Sequence, residues 1–232
     1  MIFVTGDIHG SLDINKLSHR NNRTSGLFDN INKNDYVIIC GDFGLIWNNS
    51  ASDRWWLDWL EQKPFTTLFI DGNHENFNLL QSYPEEEFAG GKVHRISDSI
   101  FHLMRGYVFT LENKSFFAMG GAESHDKYCR TPDKSWWAQE LPSNEEYNNA
   151  RKELEKHRYS VDYVLSHSIP SRYLSALVSV LETYYASPIT NFFDEIESKL
   201  SYKCWFSGHY HRDCTIDRSP KIRLVYNDII KL

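Results

Sequence analysis

The chain of 232 residues is long enough to bury the core of one sizeable domain. Hydrophobic residues make up 41% and charged residues 24%, a composition that excludes a largely disordered chain. The formal net charge is −6, and the sequence has no long run of like charges. These features argue against a nucleic-acid-binding arm and against a patch that binds a membrane surface.

The cysteines and the start of the chain bear on its compartment. Cys40, Cys129, Cys204 and Cys214 lack the CxxC spacing of a redox or zinc motif, so reduced thiols are expected. The chain opens without the basic start and long apolar stretch of a signal peptide. No apolar run approaches the roughly 20 residues that a membrane-spanning helix needs. We therefore expect a cytoplasmic protein that does not associate with membranes.

Short apolar runs rich in β-branched and aromatic residues predict strands, and apolar residues at helical spacing predict helices. In chain order, strands are predicted at residues 2–5, 36–40, 66–71, 100–104, 107–111, 115–119, 161–166, 203–207 and 222–226. Helices are predicted at residues 53–62, 143–158 and 190–200. Ser143, with Glu146 three residues later, is a capping-box start for the second helix.

The order of these elements predicts the fold class. Strand and helix alternate in the first half, which is typical of a parallel α/β arrangement. Residues 93–121 instead indicate consecutive strands with short turns. The prediction is an α/β fold with a mixed sheet or two packed sheets. No internal repeat or linker divides the chain, so a single domain over residues 1–232 is expected.

Residue types that bind metal recur directly after the predicted strands. Ligands in open α/β sheets bind at the carboxyl ends of strands, so these side chains are expected to meet. Carboxylate, amide and imidazole ligands without thiolates suit Mn, Fe, Zn or Ni and argue against a structural zinc site. Four apolar runs end in glycine followed by such a residue, namely Asp7, Asp42, Asn73 with His74, and His209, and a fifth run ends directly in His167.

Five motifs together resemble the calcineurin-like metallophosphoesterases, in the order of that family. They are Asp7-Ile8-His9, Gly41-Asp42, Gly72-Asn73-His74-Glu75, the isolated His167, and Gly208-His209-Tyr210-His211. The resemblance spans residues 6 to 211 and implies two packed mixed β-sheets flanked by helices, a four-layer α/β/β/α sandwich. It also implies a metal-dependent phosphoric ester hydrolase.

The resemblance further implies two divalent metal ions, with Mn favoured over Fe, Zn or Ni. The first ion would be held by Asp7, His9, Asp42 and His211, and the second by Asn73, His167 and His209, with Asp42 as the bridge. A hydroxide that bridges both ions would attack phosphorus in line with the leaving group. His74, the catalytic residue of this scheme, would stabilise negative charge or protonate the leaving oxygen.

The second motif departs from one branch of the superfamily. Phosphoprotein phosphatases extend it as Gly-Asp-x-Val-Asp-Arg-Gly, whereas this chain has Leu45 and Ile46 in place of the aspartate and the arginine. The arginine would grip phosphate, so another positive charge is needed unless the two metals suffice. We predict that His125 and Arg130, together with Asn73, contact the substrate. Ordinary solvated loop charges are the alternative for His125 and Arg130.

Residues 122–160 are interpreted as an insert. Trp136 and Trp137 either form an aromatic wall of a cap over the site or anchor the insert to the core. A wall of this kind would suit a nucleoside by stacking.

The remaining candidates have ordinary interpretations. Glu75 is either a partner of a ligand or of His74, or a solvated carboxylate. Asp71 is interpreted as the end of its strand. Four other histidines are interpreted as surface or core residues: His19, His94, His102 and His157.

The favoured function is hydrolysis of a phosphodiester or phosphomonoester of a small, nucleotide-like molecule. A serine/threonine phosphoprotein phosphatase is the alternative, because Gly-Asn-His-Glu also occurs in those enzymes. A nuclease is disfavoured because no basic stripe follows a phosphate backbone. A non-catalytic metal-binding scaffold is disfavoured because no ligand position is lost. No sequence feature indicates an oligomeric state.

Overall fold

The computed structural model describes residues 1–18, 21, 26–177, 184–218 and 221–232. The strands are β1 (Ile2–Thr5), β2 (Tyr36–Cys40), β3 (Thr66–Ile70), β4 (Glu85–Phe88), β5 (Gly91–Ser97), β6 (Ile100–Leu103), β7 (Tyr107–Leu111), β8 (Lys114–Met119), β9 (Tyr163–Ser166), β10 (Cys204–Ser207), β11 (Cys214–Arg218), β12 (Lys221–Leu224) and β13 (Ile230–Lys231). The helices are α1 (Ala51–Glu61), α2 (Phe77–Leu80), α3 (Asn144–Lys156) and α4 (Pro188–Glu197).

The strands form two mixed sheets. The first sheet has the order β13-β1-β2-β3-β6-β5-β4, with β1, β2, β3 and β6 parallel and the other strands antiparallel to their neighbours. The second sheet has the order β11-β12-β10-β9-β8-β7, with a parallel centre of β12, β10, β9 and β8. Each sheet therefore combines a parallel centre with antiparallel edges.

Three hydrophobic clusters separate four layers. The inner cluster joins Ile38 of the first sheet to Phe116 and Leu165 of the second, so the sheets pack face to face. A second cluster covers the outer face of the first sheet and includes Leu60 of α1. A third cluster packs α3, through Leu154, and α4 on the outer face of the second sheet. The predicted α/β/β/α sandwich is confirmed.

The regular elements largely agree with the prediction, and most of the differences lie at sheet edges. The capping box of α3 is present, since the Ser143 hydroxyl accepts from the Glu146 N–H at 3.2 Å and the Glu146 carboxylate accepts from the Ser143 N–H at 2.7 Å. No separate range was predicted for β4, β5, β11 or β13 or for the short helix α2, and β5 fell only within the run of strands expected over residues 93–121. Strand β4 has three successive glutamates, so it lacks apolar alternation, and at the edge of the sheet it pairs with β5 alone.

The cysteine prediction is confirmed. All four thiols are free, and Cys40 and Cys204 are buried in β2 and β10. Across the described part of the chain, no helix combines the length and the apolar character needed to cross a membrane.

The carboxyl ends of β1, β2 and β3 meet those of β9 and β10 at one edge of the sandwich, and Gly41 is one of the glycines that permit a close approach there. Gly41 follows β2 with φ of +92°, and a Cβ atom at this position would lie 2.1 Å from Nδ1 of His167, which follows β9. Glycine tolerates this φ and leaves the room that the imidazole occupies. The absence of a side chain at residue 41 therefore permits His167 to pack against the end of β2.

Gly41→Ala is expected to lower the free energy of unfolding by about 1–3 kcal/mol relative to a matched variant, because the added methyl overlaps the His167 ring. The matched variant is Gly90→Ala. Gly90 has φ of +97°, but its Cβ would lie 3.5 Å from the nearest atom, an ordinary contact. Urea denaturation of both variants measures the difference. Equal destabilisation would show that backbone strain, rather than overlap with His167, dominates.

Candidate metal centre

Five of the seven predicted ligands converge in two overlapping clusters. Asp7, His9 and His211 form one cluster, and Asp7, Asp42 and His167 form the other. In each cluster, one possible ligand atom from every residue lies within 4.8 Å of the others. The residues follow β1, β2, β9 and β10, so strand ends from both sheets supply them.

Asp42 lies between two imidazoles. Its side chain is 2% exposed, its Oδ2 lies 3.4 Å from His9 Nε2, and its Oδ1 lies 3.2 Å from His167 Nε2. The Oδ1 atom also accepts a hydrogen bond from the backbone N–H of His74 at 2.8 Å. The two carboxylate oxygens thus face different parts of the site, which is the arrangement that a carboxylate bridging two ions requires.

Asp7 ties the end of β1 to the loop after β10. Its Oδ2 lies 3.2 Å from His211 Nε2, and its carboxylate accepts the backbone N–H of His209 at 3.0 and 3.1 Å. The His209 ring lies beside the second cluster, with its centroid 4.9 Å from that of His167. His209 therefore joins the site through both its backbone and its ring.

Two buried ligand atoms that make no hydrogen bond fit a cation site. Six buried side-chain atoms of the described residues lack a hydrogen bond, and Asn73 Oδ1 and His167 Nε2 are the two that belong to predicted ligands, although His167 Nε2 also lies 3.2 Å from Asp42 Oδ1. The other nitrogen of each side chain is held by a hydrogen bond. Asn73 Nδ2 donates to Ser124 Oγ at 3.1 Å, and His167 Nδ1 donates to the Cys40 carbonyl at 2.8 Å. An unsatisfied buried polar atom is costly, and coordination to a cation would offset that cost.

The carboxylates give the centre a negative potential. Burial would lower the pKa of His167, but the carboxylates of Asp42 and Asp7 raise it to about 10. Burial also opposes the charged form of His9, but Asp42 and Asp13 raise its pKa to about 9. The potential between Asp7 and Asp42 therefore favours positive charge, as a site for divalent cations must.

Sequence reasoning missed three residues that hold predicted ligands in place. Asp13 Oδ2 lies 2.8 Å from His9 Nδ1, and its position four residues after His9 is a signal that could have identified it. Ser124 holds the amide of Asn73, and the buried Glu140 accepts both the N–H of Ser124 at 2.9 Å and its hydroxyl at 2.6 Å. No sequence spacing indicates this chain of contacts from Glu140 through Ser124 to Asn73.

With two ions bound, as proposed below, Ser124→Ala is expected to weaken binding of one of them about 10–100-fold, because the amide of Asn73 would lose the partner that fixes its orientation. Calorimetric titration with Mn²⁺ measures both affinities. Ser124→Thr keeps the hydroxyl and is expected to restore the affinity. A loss at both ions, or no loss at either, would contradict the assigned role.

Glu75 is buried, so its interpretation as a solvated carboxylate is wrong. The side chain accepts the backbone N–H groups of Phe43 at 2.6 Å and Gly44 at 3.1 Å. Burial and the nearby charge of Asp42 raise the pKa of Glu75 to about 8, against the effect of these two hydrogen bonds. Glu75 therefore holds the loop that follows Asp42.

Asp71 does more than end its strand. It is buried, and its Oδ1 lies 3.0 Å from His102 Nε2 while its Oδ2 accepts from Arg105 Nε at 2.9 Å. His94 and His102 are buried, which confirms their interpretation as core residues. His157 is half-buried, and His19 lies outside the described residues.

His74 lies beside His9 with its ring against a guanidinium group. Arg130 Nη1 is 3.2 Å from His74 Nδ1 and Arg130 Nη2 is 3.4 Å from His74 Nε2, and Arg130 also pairs with Asp126 at 2.8 Å. Burial lowers the pKa of His74, and the charge of Arg130 lowers it further, against the opposing carboxylate of Asp42. The structure thus places Arg130 next to the predicted catalytic residue.

His125, the other residue of this loop that was predicted to contact the substrate, lies near His209 of the candidate metal centre. His125 is exposed, and its ring centroid lies 6.2 Å from that of His209 with an interplanar angle of 26°.

Leu45 and Ile46 are both 1% exposed and pack in the outer core of the first sheet. Arg130 therefore brings to the site a positive charge that position 46 does not provide.

The predicted insert of residues 122–160 has two parts. Residues near Ser124 and Arg130 contact the centre, whereas α3 packs on the second sheet as part of the outer helical layer. Trp137 is 2% exposed and packs edge to face on Trp47, with ring centroids 5.3 Å apart. Trp137 is therefore packed in the protein and is not free to stack on a ligand. The single-domain boundaries and the cap remain predictions.

The sequence also matches a known protein family. The family profile described as calcineurin-like phosphoesterase matches residues 1–213. The chain belongs to the calcineurin-like phosphoesterase family. No curated protein matches the chain.

Two solved structures are similar to the chain at low sequence identity. One is a candidate 5'-nucleotidase from Staphylococcus aureus in complex with alpha-ketoglutarate, with 15% identity, a TM-score of 0.51, and coverage of 97% of this chain and 48% of that chain. Another is the sulfate thiohydrolase SoxB from Thermus thermophilus in complex with glycerol, with 12% identity, a TM-score of 0.45, and coverage of 97% and 51%. The chain spans about half the length of each, and the likeness to the first shows the fold alone.

Proposed function

We propose that this chain uses two divalent ions to hydrolyse a phosphodiester or phosphomonoester of a small, nucleotide-like molecule. The observation that carries the proposal is the placement of Asp42, whose two oxygens lie 3.4 Å from His9 Nε2 and 3.2 Å from His167 Nε2. A buried carboxylate between two sets of nitrogen and oxygen ligands is the structural requirement for a shared bridging ligand.

The ligand assignment follows from the contacts. Bound ions would supply a nucleophile at neutral pH and would neutralise charge on the phosphate. Mn is the favoured metal, with Fe, Zn or Ni as alternatives, because the ligand set contains oxygen and imidazole and no thiolate. The first ion would be held by Asp7, His9, Asp42 and His211, and the second by Asp42, Asn73, His167 and His209.

His74 and Arg130 form the substrate side of the proposed site. Burial and Arg130 lower the pKa of His74, so its imidazole is mainly neutral near pH 7 and can donate a hydrogen bond from its N–H. A bound phosphate next to the ring would favour the protonated form and let it donate a proton to the leaving oxygen. Arg130 offers charged donors to the phosphate oxygens.

Arg130→Ala is expected to raise KM about tenfold or more for phosphate esters, because a charge-assisted hydrogen bond to the phosphate is lost. Arg172→Ala is a matched control, since Arg172 pairs with Asp194 and Glu197 at the protein surface. Steady-state kinetics on both variants measure the effect. An unchanged kcat/KM in Arg130→Ala for every substrate would contradict the assigned contact.

The proposed function is tested by a substrate panel. It contains p-nitrophenyl phosphate, bis-p-nitrophenyl phosphate, nucleoside monophosphates, cyclic nucleotides and a phosphoserine peptide, each with Mn, Ni, Zn or Mg. Hydrolysis of small esters is expected, with loss in EDTA and recovery on adding Mn. Faster hydrolysis of the phosphopeptide than of any small ester would favour the phosphoprotein phosphatase. Bound ions without hydrolysis of any ester would favour a scaffold.

A further inference from the structure

A cavity of about 220 Å³ opens beside His209, on the side of the second ligand cluster. Its walls come from the loop after β8, which carries His125 and Tyr128, and from the segment before α4, which carries Tyr184 and Tyr185. The cavity adjoins the candidate metal centre, because His209 lies in its wall and its ring contacts that of His167.

Exposed aromatic side chains concentrate at this cavity. Within the described part of the chain, the exposed large hydrophobic residues are Leu12, Trp55, Tyr128 and Tyr185, and the last two line the cavity at 88% and 71% exposure. Scattered exposed apolar residues need no explanation, but two aromatic rings at one concave site are typical of a ligand-binding surface.

Aromatic rings continue from the metal centre into the cavity. The His125 ring lies nearly parallel to the His209 ring, and its centroid lies 5.9 Å from that of Tyr184. Tyr184 in turn packs edge to face on Tyr210, with ring centroids 4.9 Å apart. A phosphate at the ion ligands would thus have a wall of ring faces and edges next to it.

We propose that this cavity binds a flat aromatic ring in the alcohol part of the phosphate ester, a nucleobase or an aryl group. The inference rests on the proposed function, which places the phosphate at the ions. A volume of about 220 Å³ suits one compact group and is below the range of about 300–1,000 Å³ usual for drug-sized ligands. Aromatic side chains bind such rings by stacking without reading a particular base.

The proposal is tested with Tyr128→Ala and Tyr185→Ala, against Trp55→Ala as a control. Both tyrosines are exposed, so their loss is not expected to unfold the protein, and Trp55 is an exposed aromatic residue on α1, outside the walls of this cavity. The substrates are adenosine monophosphate, phenyl phosphate and ethyl phosphate. For each tyrosine variant, kcat/KM is expected to fall about 5- to 150-fold for one or both aromatic esters and to stay unchanged for ethyl phosphate.

The two aromatic substrates distinguish the sources of the ring. A loss confined to adenosine monophosphate assigns a nucleobase, and a loss confined to phenyl phosphate assigns an aryl group. Equal kcat/KM ratios for all three esters in parent and variants would overturn the cavity assignment while leaving the proposed function intact.

A second measurement separates failure of the subsite from failure of the reaction. Saturation-transfer NMR with adenosine and with benzyl alcohol reports ring binding without hydrolysis. If the parent hydrolyses no ester, the proposed function fails. Ring binding that the tyrosine variants lose would then still support the cavity, whereas no binding, or binding equal in parent and variants, would overturn it.

Discussion

Asp42→Asn is expected to lower kcat/KM for phosphate esters by at least about 10³-fold and to reduce bound Mn from about two ions per chain to about one. An amide keeps the size of the carboxylate but removes its negative charge, and its nitrogen cannot act as a ligand. The two oxygens of Asp42 face His9 and His167, so one of the two sides of the site loses its ligand oxygen in either orientation of the amide.

The measurement pairs steady-state kinetics with metal analysis of the dialysed protein. Asp58→Asn is the matched control, since Asp58 is exposed on α1. Thermal unfolding in EDTA shows whether the variant remains folded. Retained activity together with two bound ions in Asp42→Asn would contradict the bridging role. If Asp42→Asn does not fold in EDTA, Asp42→Glu replaces it in the test. Asp42→Glu keeps the charge and is expected to retain more metal than Asp42→Asn.

His74→Ala is expected to lower kcat by about 10²–10⁴-fold on esters with alkyl leaving groups, the usual contribution of a general acid. The effect should be much smaller on p-nitrophenyl phosphate, because p-nitrophenolate leaves without needing a proton. The position of His74 beside His9, with Arg130 against its ring, places this group on the open side of the candidate centre.

This dependence on the leaving group separates the two roles considered for His74. Equal loss on alkyl and p-nitrophenyl esters would show that His74 stabilises negative charge and does not protonate the leaving oxygen. His157→Ala is the control, because His157 is half-buried at the end of α3 and contacts no predicted ligand in the structure. No loss on either ester would remove His74 from the mechanism.

The fold class and most of the candidate centre could be predicted from the amino-acid sequence. Strands such as β1, β2 and β7 were predicted with the bounds that the structure has, because an apolar run between turns depends on local pattern. The convergence of Asp7, Asp42 and His167 followed from a topological rule, since loops at the carboxyl ends of parallel strands meet at one edge.

The side chains that support those ligands could be identified only from the folded chain. Glu140, Ser124 and Asn73 are far apart in sequence, and their contacts depend on the path of the loop after β8. Periodicity carries no information about such a path. The burial of Glu75 and the ion pair between Asp71 and Arg105 could not be predicted from the sequence either. The residue type does not indicate whether a carboxylate is solvated or paired.

The aromatic surface near the centre illustrates the same division. The sequence pointed to Trp136 and Trp137, whereas the structure packs Trp137 on Trp47 and leaves Tyr128 and Tyr185 exposed at the cavity beside His209. Residue type sets how much a ring gains from burial, but the chain path decides which rings find a partner in the core. Only the folded chain therefore decides which aromatic rings are left for a ligand.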